Sequence, residues 1–191
     1  MSRSLSGGWF AAGIRSGAAC WIKVLCRNAS LLYCDVMTPA ITAVRKAKVP
    51  YRIHAYEHDA GSESYGEEAA QKLRVAPARV FKTLLVAIDD RQFAVALVPV
   101  SHHVDLKLFA QALKTKKAVM AQAHDAEKAT GYVLGGISPL GQKRTLRTVI
   151  DASATAFETI FVSAGRRGLE LELAPTDLSA LTNGECAVIS R

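Results

Sequence analysis

No stretch of 18 or more apolar residues in this 191-residue chain is free of charge, and a membrane-spanning helix needs about that length. Cysteine is scarce too. Cys20, Cys26, Cys34 and Cys186 are all there is, three of them lie in the first 36 residues, and no C-x-x-C pair occurs. A structural zinc site or a disulfide framework is therefore not expected, and a reducing cytoplasm is the natural compartment. There is no phosphate-binding P-loop, no G-x-G-x-x-G, no internal repeat and no convincing pair of carboxylates, so no cofactor is expected. Acidic residues are also in deficit, 17 against 24 Lys and Arg, for a net charge of +7.

Part of that excess sits at the front. Residues 1–36 hold Arg3, Arg15, Lys23 and Arg27 against Asp35 alone, which leaves the remainder with 20 basic and 16 acidic residues, a net +4. Such a mildly basic body is compatible with a polyanion but does not demand one. Residues 1–36 are rich in Ser, Gly, Ala and Cys and show neither helical nor strand period. They read as upstream sequence ahead of a true start at Met37, as a basic targeting peptide, or as a disordered arm. The first is favoured, because ordered patterning begins at Met37-Thr38-Pro39, where Thr38 suits a helix cap and Pro39 its first turn. A chain starting at Met37 is expected to match the full chain in melting temperature and catalytic rate; a large loss of either would overturn this boundary.

Within 37–191 the periodicity predicts helices at 39–47, from Ser64 to Leu73 behind a Ser64/Glu67 capping box, from Asp105 to Leu113, at 124–130 and at 175–181. It predicts strands at 51–56, 81–88, 93–100, 118–120, 148–151, 160–163, 169–173 and 187–190, with a hairpin at Asp89-Asp90-Arg91 and a turn at Ala164-Gly165. Strands and helices interleave without strict βαβ alternation, which argues for one domain of mixed α/β class.

The most unusual segment is Gly135-Gly136-Ile137-Ser138-Pro139-Leu140-Gly141. Its glycines let backbone approach a ligand closely; the plainer reading is a tight connector. Ser138 is not an elbow serine. In that motif the amide of the following residue helps hold the oxyanion, and here that residue is Pro139, which has no N–H. The amides from Gly135 to Ser138 remain candidates to hold a carbonyl oxygen. Lys82 lies inside the apolar run Phe81-Lys82-Thr83-Leu84-Leu85. It is either a snorkelling edge lysine or a fixed cation in a pocket. His54 and His58 are four residues apart in a strand-like segment with no third ligand in view, so no metal is expected. Lys143, Arg144, Arg147, Arg166 and Arg167 would line one phosphate-binding rim if strands 148–151 and 160–163 were neighbours.

These segments carry a resemblance. M-T-P-A at 37–40, Y-E-H-D at 56–59, F-K-T-L-L-V-A at 81–87, T-G-Y-V-L-G-G-I-S-P-L-G-Q-K-R at 130–144, I-D-A at 150–152 and V-S-A-G-R-R-G-L-E-L-E-L at 162–173 together resemble the YbaK family of cysteinyl-tRNA(Pro) deacylases. That family is related to the editing domain inserted in bacterial prolyl-tRNA synthetases. The likeness spans 37–191; nothing in 1–36 matches. It implies a curved mixed sheet of six or seven strands surrounded by helices. It implies an enzyme that clears mischarged Cys-tRNA(Pro), with Cys-tRNA(Cys) as a second substrate, by hydrolase- or lyase-type cleavage of the aminoacyl ester.

By the same resemblance Lys82, Gly135 and Gly136 would be catalytic. Tyr56, Tyr65, Thr83, Ile137, Ser138, Ser163 and Glu170 would bind substrate, and Lys143, Arg144, Arg166 and Arg167 would touch tRNA phosphates. The partners implied are the 3′ end of tRNA(Pro) and a transient complex with prolyl-tRNA synthetase, with neither DNA nor membrane. Three positions depart from the family pattern: Tyr65 for Phe, Glu170 for Asp and Ala164 for Gly. The resemblance implies that the substrate's own thiol attacks its ester, with direct attack by water as the other route. The alternatives are a deacylase for another mischarged tRNA such as Ala-tRNA(Pro), a non-catalytic tRNA- or synthetase-binding module, and a serine or metal hydrolase of small esters.

Overall fold

The computed structural model describes residues 37–62, 64–89 and 92–191. The expectations for residues 1–36, and the centre of the hairpin turn at 90–91, lie outside the described residues. Helix α1 (Pro39–Ala47) starts as its sequence dictates. The Thr38 hydroxyl accepts from the Ile41 amide at 3.2 Å and donates to the Ala164 carbonyl, a cap of the kind that contributes about 1 kcal/mol. Ala40, Ile41 and Val44 then fall on one buried face, the i, i+1, i+4 spacing of an amphipathic helix.

The other helices are α2 (Tyr65–Leu73), α3 (Leu106–Leu113), α4 (Ala123–Thr130) and α5 (Pro175–Thr182). Asp105 caps α3 by accepting from the amides of Lys107 and Leu108, and Phe109 and Leu113 are buried as the pattern predicts. The capping box of α2 does not form. Ser64 makes no side-chain cap. Instead Glu68, one residue past the expected partner, reaches back to the Asp59 amide and the His58 ring.

The strands are β1 (Tyr51–Ala55), β2 (Val80–Ile88), β3 (Gln92–Pro99), β4 (Ala118–Met120), β5 (Arg147–Asp151), β6 (Ile160–Arg166), β7 (Leu169–Leu173) and β8 (Glu185–Ala187). They form one mixed sheet. Seven run in the order β1-β7-β6-β2-β3-β5-β8, and β4 pairs with β2 off this path. This is the mixed α/β domain that the sequence implies.

Two boundaries differ from expectation. The chain does not turn at Ala164-Gly165; β6 continues to Arg166 through a shift in its register with β7, and reverses at Arg167-Gly168, where Gly168 has φ +77°. The last strand is 185–187 rather than 187–190. Residues beyond it are held by other means: the Ile189 amide donates to the Asp151 carboxylate, and its carbonyl accepts from Asp105.

The alternation in L-E-L-E-L explains the layering. Leu169, Leu171 and Leu173 join the main core beneath α1, with Phe81, Leu85, Val162 and Ile150. Glu170 and Glu172 take the opposite face. There Glu172 accepts from His54, at 2.8 Å, and from Thr159, at 2.7 Å. A second core packs α3 on the sheet through Phe109, Leu113, Val98 and Ile88. A third, smaller one sets Ala69 and Ala70 of α2 on Val80, Val100 and Phe161.

Candidate functional site

The site originates in a fork of the sheet. Strand β2 pairs with β6 only at Val80 and Phe81, and with β4 only at Val86 to Ile88. Between these two partners one edge of β2 is left open. Phe81, Lys82, Thr83 and Leu84 all line a single pocket of about 370 Å³, with Ser64, Tyr65, Leu134, Gly135, Ile137, Ser163 and Glu170. Consecutive strand residues face opposite ways, so four in a row can line one cavity only where it opens on the strand's edge. Val80 O bonds to Val100 N on the β3 side, and Leu85 O bonds to Ala121 N on the opposite side. Parity therefore turns the backbone of Thr83 toward the gap. The Thr83 hydroxyl is fully buried and has no hydrogen-bond partner among the described residues.

Lys82 points to the α2 side of the fork. Its ammonium has one long contact, 3.4 Å, to the Val100 carbonyl. Burial holds its pKa below the usual lysine value, with the Glu67 carboxylate pulling it back. Glu170 enters the same pocket from β7, 7% exposed and without a hydrogen bond among the described residues. Burial alone pushes its carboxyl up to about 8. Tyr56 is raised above the ordinary tyrosine value by burial and by the nearby Glu170 and Glu68 carboxylates.

The raised value makes a stability prediction. Between its ordinary 4.5 and about 8, Glu170 is ionised in the unfolded chain and protonated in the folded one. Folding then takes up a proton, and stability falls as pH rises through that window. Glu170→Gln removes the titration. Its gain in stability over the natural chain is expected to be larger at pH 8.5 than at pH 5 by at least about 2 kcal/mol, a shift of several degrees in Tm. Melting curves at the two pH values check this, and equal gains at both would refute it.

The glycine-rich loop is fixed at both ends. Gly141, at φ +64°, lies so close to the start of α1 that a Cβ there would sit 2.4 Å from the Pro39 carbonyl carbon, and the Tyr132 hydroxyl donates to Leu140 O at 2.7 Å. At the other end Gly135, at φ +79°, carries the Tyr65 ring directly on its Cα, and a Cβ would meet that ring at 2.7 Å. Any side chain at 135 would thus displace Tyr65 as well as strain the backbone.

The structure brings Tyr65, Lys82, Thr83, Gly135, Ile137, Ser163 and Glu170 together at this pocket. Tyr56 lines a neighbouring pocket of about 490 Å³ with His58, Val133, Arg166, Arg167 and Gly168. Besides Tyr56, two more expected residues, Gly136 and Ser138, do not line the main pocket. The Gly136 amide, expected as a catalytic donor, is spent on Val133 O at 3.0 Å. Ser138 is fully buried under the loop, where its hydroxyl accepts from Leu140 N. The amides of Gly135, Ile137 and Ser138 make no hydrogen bond to another described residue.

The expected cationic rim does not assemble, because β5 and β6 are not neighbours; β2 and β3 lie between them. Arg144 lines a separate depression with Gly141, Thr145 and Thr182, Arg147 lines another with Leu113 and Asn183, and Lys143 is exposed at the end of the loop. Arg167 is not a free cation: it donates twice to Leu134 O and covers the Tyr65 ring at 4.6 Å. The His58 ring, bonded to Glu68 at 2.8 Å, packs on the Tyr65 ring at 5.5 Å; in sequence His58 stood out only within Y-E-H-D and for its spacing to His54, and Glu68 did not stand out.

The sequence profile of the aminoacyl-tRNA editing domain matches residues 61–181. The chain belongs to that family. An Enterococcus faecalis protein provisionally named as a Cys-tRNA(Pro)/Cys-tRNA(Cys) deacylase, EbsC, is 38% identical over 155 residues, covering 80% of this chain and 93% of its own. A Geobacillus proline–tRNA ligase is 26% identical over 132 residues, which cover 69% of this chain and 23% of the ligase. A solved structure provisionally described as a trans-editing enzyme for prolyl tRNA synthetase shares the fold, with a TM-score of 0.69 at 18% identity over 82% of this chain and 99% of that one. Among the described residues of this editing domain, no helix is long and apolar enough to cross a membrane.

Proposed function

We propose that this chain is a trans-acting deacylase that clears mischarged Cys-tRNA(Pro), with Cys-tRNA(Cys) as a second substrate. The observation that carries this is the fork pocket: a partly desolvated lysine, unspent loop amides and a buried carboxyl meet in a cavity with no cysteine or histidine in its lining. The fork holds four hydroxyls, those of Ser64, Tyr65, Thr83 and Ser163, and none is hydrogen-bonded to a described carboxylate or histidine, although Ser163 stands opposite Glu170 in the β6–β7 pair. That arrangement suits a substrate that brings its own nucleophile.

The thiol of an ordinary cysteine titrates near 8.5, close to the value of about 8 at Glu170, so in the fraction of molecules whose Glu170 is ionised, proton transfer from sulfur to the carboxylate is nearly balanced. The sulfur then attacks the ester carbonyl carbon. A C–S bond forms, the C–O bond to the terminal ribose breaks, and the proton passes to the departing ribose oxygen. The cyclic thioester hydrolyses to free cysteine. The amides of Gly135 and Ile137 hold the carbonyl oxygen as negative charge develops on it. Lys82 fixes the terminal ribose or its phosphate and so orients the ester.

The similarity to part of a proline–tRNA ligase supports a transient complex with prolyl-tRNA synthetase, which would supply the tRNA recognition that a mildly basic body lacks. The test is a deacylation panel of Cys-, Ala-, Ser- and Pro-tRNA(Pro) with the purified chain. Cys-tRNA(Pro) is expected to be cleaved fastest. Faster release of alanine would assign the chain to Ala-tRNA(Pro) instead, and release from none would leave a tRNA- or synthetase-binding module.

A further inference from the structure

Arg167 stands out because its cation is committed to the protein. Both its Nε and its Nη2 donate to one backbone oxygen, Leu134 O, at 3.0 and 2.8 Å. The same guanidinium lies over the Tyr65 ring at 4.6 Å, and Tyr65 in turn rests on the Cα of Gly135. Leu134 C=O and Gly135 N–H belong to one peptide unit, which is planar and trans, so the N–H points away from the carbonyl. A guanidinium on that oxygen therefore sets the direction of the Gly135 N–H. It also withdraws electron density from the amide and makes the N–H a stronger donor.

Arg167 lines the neighbouring pocket, whereas Leu134 and Gly135 line the fork pocket. The Gly135 N–H thus faces away from Arg167 and makes no hydrogen bond to another described residue. We propose that Arg167 is a positioning residue that acts through the Leu134–Gly135 peptide, aiming and strengthening the Gly135 N–H as the donor to the carbonyl oxygen of the scissile ester. This rests on the deacylase reading above. It gives Arg167 a different task from contacting tRNA phosphate, and the two tasks separate in kinetics.

A donor that matters as charge develops acts on kcat. A phosphate contact acts on KM and on the salt dependence, whose slope falls by about one when a contact is lost. The experiment measures kcat, KM and the salt slope for Cys-tRNA(Pro) with the natural chain, Arg167→Ala and Arg167→Lys. Arg167→Ala is expected to lose kcat on the order of tenfold, with KM within about twofold and the salt slope unchanged. Millimolar guanidinium should recover part of the lost kcat.

Arg167→Lys keeps the charge but cannot place two N–H groups on one carbonyl, so its kcat is expected to stay low. Should the alanine variant fail to fold, the lysine variant alone decides. A natural kcat in Arg167→Lys, or a raised KM with intact kcat and a shallower salt slope in Arg167→Ala, would overturn the proposal while deacylation stands. A natural chain that cleaves no aminoacyl-tRNA would remove the deacylase reading, and this proposal with it.

Discussion

Replacing Lys82 with alanine is expected to cut deacylation of Cys-tRNA(Pro) by at least about tenfold, the scale of losing one positioned electrostatic group. The fold should be kept. The argument begins with the strand. F-K-T-L-L puts a lysine where β2 has lost one partner and not yet gained the next, so its side chain enters a cavity rather than a core. There it is underused by the protein: its one hydrogen bond is a 3.4 Å contact to Val100 O, and burial disfavours its charge. A group that costs stability and receives little from its neighbours is held for something that binds later. Lys82→Ala should therefore melt no lower than the natural chain while its single-turnover rate falls. Near-normal turnover would remove Lys82 from the site, and a large drop in Tm would make it structural.

The local elements were legible because their periods are strong. L-E-L-E-L at 169–173 announces a strand with one oily face, and Asp105 announces the cap of α3. The layout of the sheet was not legible, because pairing partners far apart in sequence leave no local mark. That is why the sequence left open whether strands 148–151 and 160–163 are neighbours, the condition on which a single rim of five cations depended and which the sheet order does not meet. The site was legible in part. The apolar run around Lys82 and the cluster of glycines both flagged costs that a plain connector does not need to bear. The division of labour within the loop was hidden. Gly136 and Ser138 look as available as Gly135 in sequence, but the Gly136 amide closes a turn onto Val133 and the Ser138 hydroxyl bonds Leu140 N. Arg167 read as a surface cation for the same reason, since only the folded chain brings Leu134 within its reach.

A Cys-tRNA(Pro) whose thiol is capped with a methyl group is expected to be nearly inert, although it still binds. Alanyl- and seryl-tRNA should be cleaved far more slowly than cysteinyl-tRNA. The reason is that none of the pocket's hydroxyls is hydrogen-bonded to a base among the described residues, and the two other candidate nucleophiles, Cys186 and Ser138, lie outside the pocket. Cys186 is exposed on β8, the strand at one edge of the sheet, with β5 and β3 between it and β2. Ser138 is sealed under its loop. Cys186→Ala should leave both stability and rate unchanged. Ser138→Ala should lose about 1 kcal/mol of stability with its hydrogen bond yet keep most of its rate, and no acyl-enzyme should accumulate with either variant. Methylation of the thiol removes the lone attacking group while adding little bulk, so it separates attack by sulfur from attack by water. With water as nucleophile, S-methyl-cysteine would be released at a rate close to that of cysteine, and Glu170 would then be the base for that water rather than for the thiol. The deacylase assignment would survive such a result, and substrate-assisted cyclisation would not.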